Sequence, residues 1–365
     1  MTEKVRGRVV RPGAVVPGVV DVDGPTILSV AEDPRAGDDI IVPGFVDLHC
    51  HGGGGHTFTR GDAADAAQAA SFHLRHGTTT MLASLVSSPY ELMRDATGAY
   101  LPLVAEGAIA GIHFEGPYLS AVRCGAQNPE FLRDPALEEL SALVKLGAGT
   151  IRMVTIAPEL RGALDAVRFL VEHGVVAALG HTDATYEQTV AGIAAGATVG
   201  THVFNGMRPP HHREPGPVVA LLDSPSIVCE LVADGIHLHD GMLRFAAHAT
   251  TYRSALVTDA MDAAGMPDGS YELGGQEVTV ADRVARLARD GSIAGSTLTM
   301  DAAFRQAVGA GLDLPTAVAM ASTTPARALG LGDQVGALEA GLRADLVVLS
   351  ADLQVKRVMR AGVWI

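Results

Sequence analysis

From residue 41 onward the chain alternates short apolar runs with stretches of helical period, and it does so eight times. The runs are IVPGFVDL, TTMLASLVSS, AIAGIHFE, IRMVTIAP, VVAALGH, TVGTHVFN, SIVCELVAD and SALVTD. Helices are expected between them, near residues 63–76, 89–106, 135–146, 160–173 and 186–195. Near-continuous apolar runs suit strands buried on both faces, and strand–helix alternation forces parallel strands with the helices outside. Eight units is the number that closes into a (β/α)8 barrel. Residues 4–33 read differently, because short valine-rich runs there are separated by Pro and Gly, the pattern of small antiparallel strands. The tail ADLVVLSADLQVKRVMRAGVWI is strand-like again. Chain ends of a domain often lie close together. The expected fold is therefore α/β: a TIM barrel over residues 43–336 and a small β-sandwich domain built from both termini, residues 1–42 and 337–365.

Composition narrows the class. With 48% apolar and 19% charged residues in 365, the chain reads as a compact enzyme-sized protein rather than a disordered one. No apolar run reaches the roughly 20 residues that a bilayer demands, and the first residues carry no hydrophobic signal core, so no membrane association is expected. A net charge of −14 without any basic cluster speaks against nucleic acid as a partner. Three scattered cysteines, Cys50, Cys124 and Cys229, are too few for a disulfide framework and favour a reducing cytoplasm.

Polar residues fall at the ends of these apolar runs. His49 and His51 close the first; alternation along a strand puts both on one side and Cys50 on the other. Glu115 closes the third run, His181 the fifth, His202 the sixth and Asp259 the eighth. These are carboxyl ends, where a barrel keeps its chemistry. An isolated His-x-His reads equally as a hydrogen-bonded core pair or as two metal ligands. Four imidazoles and two carboxylates at successive strand ends favour the second reading, because a buried carboxylate needs a partner and a divalent cation would serve several at once. Asn205, Gly206, Arg213, Asp234 and His237 lie just beyond the same ends. Arg213 reads either as a solvated loop residue or as a planar fork for an anion. His211, His212 and His239 read as loop residues, and His56, His73, His76 and His173 as structural ones; Cys124 is read as incidental.

With PGFVDLHCHG, HFEGPYLS, GHTDA, THVFNGM, REPG, VADGIHLH, VTDAM and GSTLTM in order over residues 43–300, the chain resembles the amidohydrolase superfamily, and within it the sugar phosphate deacetylases. The closing GALEAGLRADLVVL is similar to that superfamily's return into its small β domain. The resemblance implies hydrolysis of the acetamide of N-acetyl-D-glucosamine 6-phosphate to D-glucosamine 6-phosphate and acetate. It implies one or two divalent ions, Zn2+ by preference, with Glu115, His181 and His202 on the principal metal. His49 and His51 would then complete a second position bridged by Glu115, and Asp259 would be the catalytic acid/base and a further ligand. It also implies substrate contacts from Ala126, Gln127, Asn205, Gly206, Arg213, Asp234, Gly235, Ile236, His237, Ile293, Ala294 and Gly295. Arg213 would take the phosphate, in some members from across a homodimer interface. Gln127 stands where many members carry a histidine that polarises the amide carbonyl, so either a second metal takes over that task or turnover is slower. Two alternatives stay open: another amidohydrolase reaction, such as N-acetylgalactosamine-6-phosphate deacetylation or cyclic amide opening, and a catalytically silent scaffold that binds a sugar phosphate.

Overall fold

The structure is a computed structural model and describes residues 2–365. Strands β1 (Thr2–Arg11), β2 (Ala14–Asp23), β3 (Thr26–Glu32) and β4 (Ile40–Pro43) come first. In β1, Val5 and Val9 are buried while Lys4 and Arg8 face out, the period of two that a one-sided sheet requires. The barrel opens with β5 (Phe45–Asp47), and a small ribbon β6 (Gly52–Gly53) and β7 (His56–Thr57) follows. Then come α1 (Ala63–Arg75), β8 (Thr78–Leu85), α2 (Tyr90–Ala105), β9 (Gly111–Glu115), α3 (Leu137–Gly147), β10 (Ile151–Ile156), α4 (Ala163–Glu172) and β11 (Val176–Leu179). The alternation continues with α5 (Tyr186–Ala194), β12 (Val199–Gly200), α6 (Gly216–Asp223), β13 (Val228–Val232), α7 (Asp240–Thr250) and β14 (Ser254–Val257).

Strand order in the barrel sheet is β14-β13-β12-β11-β10-β9-β8-β5, with parallel pairing throughout. All eight residues of β8 are buried, as expected of a strand between a barrel core and a helical layer. Helix α4 shows how the outer layer attaches: Ala163, Ala166, Val167 and Leu170 are buried, an i, i+3, i+4, i+7 stripe facing the sheet. The seam between β14 and β5 is joined past the strand ends, where Asp259 N–H donates to His49 O (2.8 Å) and His51 N–H to Ala260 O (2.7 Å). Closure of the ring and assembly of its polar mouth thus use the same backbone.

Two details depart from the sequence reading. The run IVPGFVDL is two strands: β4 pairs with β1 in the terminal sheet, and β5 pairs with β8 in the barrel. Gly44 makes the crossing, because a Cβ there would sit 2.1 Å from Thr79 Oγ1. Both halves are buried, so apolarity alone did not separate them. The second departure follows β14, where β15 (Gly269–Leu273), β16 (Gln276–Ala281) and β17 (Val284–Leu287) form an antiparallel sheet that was not anticipated. Its signal was present as alternation on either side of Gly274-Gly275, a two-residue hairpin turn in which both glycines have positive φ. Its inner face, including Leu273, Val278, Val280 and Leu287, packs on Val86, Met261 and Ala294.

Helices α8 (Met300–Gly309), α9 (Leu314–Val318) and α10 (Thr324–Ala328) lead to β18 (Leu346–Leu349), β19 (Val355–Arg360) and β20 (Val363–Trp364). The terminal strands form one seven-stranded sheet, β20-β19-β18-β4-β1-β2-β3, around Val9, Val20, Ile27, Ile41, Leu346, Val348 and Met359. This sheet rolls back on itself: Ile27 N–H donates to Leu342 O (2.9 Å) and Gly341 N–H to Ile27 O (2.8 Å). The sandwich is therefore one rolled sheet and not two separate ones.

Candidate active site

Each of the six residues leaves a strand at its carboxyl end. Glu115 is the last residue of β9; His49, His181, His202 and Asp259 each lie two positions past β5, β11, β12 and β14, with His51 two further on. His181, His202 and Asp259 have φ of 45°, 26° and 49°, left-handed backbone at residues that carry a Cβ. Such conformations cost of order 1–3 kcal/mol each and persist where the surroundings hold them, as they do at functional sites. All six are buried.

Their side chains converge on Glu115. Its Oε1 lies 2.9 Å from both His181 Nε2 and His202 Nε2. Its Oε2 lies 3.2 Å from His51 Nε2 and 3.5 Å from His49 Nε2. Asp259 Oδ1 closes the second group, 3.3 Å from His51 Nε2 and 3.6 Å from His49 Nε2. One carboxylate therefore has an imidazole pair on each oxygen. Cys50 points away, its Sγ against Gly52 O and His73 Nε2.

The outer ring nitrogens show which tautomer faces inward. His51 Nδ1 donates to Ser84 O (3.1 Å) and His181 Nδ1 to Arg123 O (2.8 Å), which leaves both Nε2 atoms bare in the neutral rings. Nε2 atoms face each other at 3.0 Å between His49 and His51 and at 3.1 Å between His181 and His202. Bare lone pairs at that spacing repel unless a positive charge lies between them. Burial disfavours charge on His49, His51 and His181, yet Glu115 and Asp259 hold all three above the ordinary imidazole pKa. Burial likewise works against charged Glu115 and Asp259, but His49, with His181 at Glu115 and His51 at Asp259, keeps both below the usual carboxylate range. The pocket is built for positive charge, and its nitrogen and oxygen donors fit a divalent ion such as zinc. Two ligand triads meet this requirement, His49–His51–Asp259 and His49–Glu115–His202.

The substrate contacts inferred from resemblance fall into groups. Gly206 lies against His181, where a Cβ would come 2.7 Å from Nδ1, and Asn205 Nδ2 donates to His202 O. The segment Ile293, Ala294, Gly295 runs beside the Asp259 backbone, and a Cβ on Gly295 would come 2.9 Å from Asp259 O. In Asp234–His237, with Gly235 and Ile236 forming the turn, Asp234 accepts from Ile236 N–H, His237 N–H and His237 Nδ1. That leaves His237 Nε2 free; burial lowers its pKa, but the Asp234 carboxylate more than offsets this. Gln127 is buried with both amide ends engaged: Nε2 donates to Glu115 Oε2 (2.6 Å), and Oε1 accepts from Ser87 N–H (2.6 Å). Ala126 O accepts from Gln276, which ties this loop to the unanticipated sheet. Arg213 stands apart, exposed and 2.8 Å from His212 Nε2.

Sequence reasoning passed over the groups beneath the cluster. Glu230, wholly buried in β13, reaches His49 Nδ1 at 3.2 Å. His113 bridges Ser84 Oγ and Thr155 Oγ1, both at 2.9 Å, with its ring edge-on to His49. Asp47 accepts from Thr258 Oγ1 (2.6 Å) across the seam. Each had a legible signal, since a charged or imidazole residue inside an apolar strand needs a partner. The segment SIVCELVAD contains such a residue in Glu230, and His113 shares the inward face of β9 with Glu115 by alternation. A cavity of about 1030 Å³ lies elsewhere, between the terminal sheet and α9 and α10, and contains none of these groups.

The sequence profile of the amidohydrolase family matches residues 40–365. Among characterised relatives, the chain is 38% identical to the N-acetylgalactosamine-6-phosphate deacetylase of Escherichia coli O157:H7, over 95% of this chain and 93% of that one. It is 37% identical to the N-acetylglucosamine-6-phosphate deacetylase of Vibrio furnissii, over 88% and 82%. Among solved structures, a mutant N-acetyl-D-glucosamine-6-phosphate deacetylase from Mycobacterium smegmatis in complex with N-acetyl-D-glucosamine-6-phosphate superposes with a TM-score of 0.96. It shares 45% identity and covers 100% of this chain and 99% of that one. The N-acetylglucosamine-6-phosphate deacetylase of Thermotoga maritima gives 0.93 at 32% identity, covering 100% and 99%.

Proposed function

The chain belongs to the amidohydrolase family, and from that premise we propose that it is a metal-dependent deacetylase that hydrolyses N-acetyl-D-glucosamine 6-phosphate to D-glucosamine 6-phosphate and acetate. The observation that carries the reading is the Glu115 carboxylate with an imidazole pair on each oxygen and Asp259 beside one pair, at the mouth of the barrel. Glu115, His181 and His202 would hold one divalent ion, preferably zinc, and His49, His51 and Asp259, with Glu115 between, a second. Such an ion supplies a Lewis acid for an amide carbonyl and lowers the pKa of water from 15.7 to about 7.

The chain's own groups handle the proton. Asp259 accepts a proton from the water that attacks the acetyl carbon and returns it to the amine nitrogen as the C–N bond breaks. Transfer of this kind contributes typically about 10² to 10⁴ in rate. With both ends of its amide engaged by Glu115 and Ser87, Gln127 supports the reading in which metal, and not this side chain, polarises the carbonyl. His237, held by Asp234, and the backbone at Gly206 and Gly295 would position the sugar. Arg213, exposed on its own chain, fits the reading of a phosphate ligand presented across a homodimer interface. A cytoplasmic setting is in keeping with three free cysteines, and no helix among the described residues is long and apolar enough to cross a membrane.

The test is acetate release from N-acetylglucosamine 6-phosphate with and without added divalent metal. Metal-stimulated release supports the proposal; no release under any metal loading refutes it. A second reading, preference for the galactosamine epimer, is favoured by the Escherichia coli relative. The same assay on both epimers decides it by the ratio of kcat/KM.

A further inference from the structure

Glu230 is wholly buried in the middle of β13, between Cys229 and Leu231, in a strand whose other inner residues are apolar. Its Oε2 lies 3.2 Å from His49 Nδ1 and accepts the His202 backbone N–H at 3.2 Å. The Glu230 main-chain carbonyl takes the next amide, Val203 N–H, at 2.9 Å. Its Oε1 has no hydrogen-bond partner among the described residues, and no Lys or Arg pairs with it. Taking a carboxylate out of water is costly, so its retention asks for positive charge nearby, and the ion pair it makes is with the His49 imidazole.

The two contacts reach both halves of the site. An acceptor at Nδ1 fixes His49 as the tautomer that carries its proton on the outer nitrogen, with the Nε2 lone pair facing His51 and Glu115. Without that acceptor, the alternative tautomer would direct an N–H into the space between the rings. The contact at His202 N–H braces a residue at φ 26°, the strand exit that presents the other imidazole pair.

We propose that Glu230 is a positioning residue for the second metal position: it sets the His49 tautomer and supplies the negative charge that favours a second divalent ion beside His49, His51 and Asp259. This rests on the two-position reading above and deepens it. Outer partners of ligating histidines typically contribute about 10- to 100-fold in metal affinity. The neutral amide oxygen of Glu230→Gln can still accept from Nδ1, so that variant retains orientation and loses charge. Glu230→Leu loses both.

The experiment dialyses zinc-loaded wild type, Glu230→Gln and Glu230→Leu against graded chelator and measures zinc per chain by mass spectrometry. Circular dichroism of each sample reports the fold. The expected result is two ions on wild type. From Glu230→Gln, whose amide oxygen still accepts from both N–H groups, the weaker ion leaves at about 10-fold lower chelator and the tighter ion is retained as in wild type. From Glu230→Leu, which also loses the brace at His202, the weaker ion leaves at about 100-fold lower chelator and still before the tighter one. The retained ion is the internal control that a merely structural residue would not spare. Two ions held as in wild type by both variants overturns the inference, as does loss of both ions together. If Glu230→Leu does not fold, Glu230→Gln alone decides by the same criterion. A wild type that takes one ion at saturation overturns the two-position reading itself, and this inference with it, without touching the deacetylase activity measured separately.

Discussion

Gly206→Ala separates two roles for the loop after β12: lining the sugar pocket and seating His181. Gly206 has φ 60°, a left-handed conformation that costs a residue with a Cβ about 1 kcal/mol or somewhat more. The added carbon would sit 2.7 Å from His181 Nδ1, 3.0 Å from Cε1 and 3.3 Å from Arg123 O, so the ring must shift away from its 2.8 Å hydrogen bond to that carbonyl. Losing such a bond in a buried setting costs about another 1 kcal/mol, giving about 2 kcal/mol in all. The same bond fixes the His181 tautomer, so metal affinity should fall about 10- to 100-fold. Gly174→Ala is the control, because Gly174 has φ 73° with nothing within 4 Å of an added Cβ and should lose only the strain energy. Urea denaturation gives the stabilities, and zinc per chain after chelator dialysis gives the affinity. If Gly206→Ala held its metal as firmly as Gly174→Ala and changed only KM, the proposed link from loop backbone to imidazole would be wrong.

Asp259→Asn should lower kcat at least about 100-fold, in line with loss of acid–base catalysis, while the His181-side ion stays bound; activity above a tenth of wild type removes Asp259 from that role. Arg213→Ala should raise KM for the phosphorylated amino sugar far more than for its unphosphorylated counterpart, and light scattering of the same sample checks the dimer; an equal effect on both substrates means Arg213 does not read phosphate. His73 provides a pH test outside the metal cluster. Burial pushes its pKa from 6.5 down to about 4 and outweighs the opposing effect of the Nε2–H bond to Gly52 O; the buried Nδ1 has no acceptor for a second proton among the described residues. The unfolded chain then binds more protons than the folded one between those values, so stability falls as pH falls through that window. From pH 7 to about 4.5 the loss from this group is about 2 kcal/mol. His73→Asn should flatten the pH dependence of urea unfolding by that amount relative to wild type; an unchanged slope refutes the assignment.

The period of the apolar pattern was enough to specify the barrel, because strands buried on both faces and helices with one buried stripe leave no other use for eight alternating units. The same pattern put His49, His51, Glu115, His181, His202 and Asp259 at the right ends of their strands, since alternation along a strand is a local property. What the sequence could not state was distance. That Glu115 would offer one oxygen to each imidazole pair depends on how β9 sits between β8 and β10 and on left-handed exits at His181 and His202. The division of IVPGFVDL at Gly44 was also invisible, because burial in either sheet selects the same residues and only the approach of Thr79 requires the glycine. Glu230 belongs to the same class. Its charge was visible within an apolar run, but its partners, His49 and His202, are 181 and 28 residues away, and only closure of the ring brings them together.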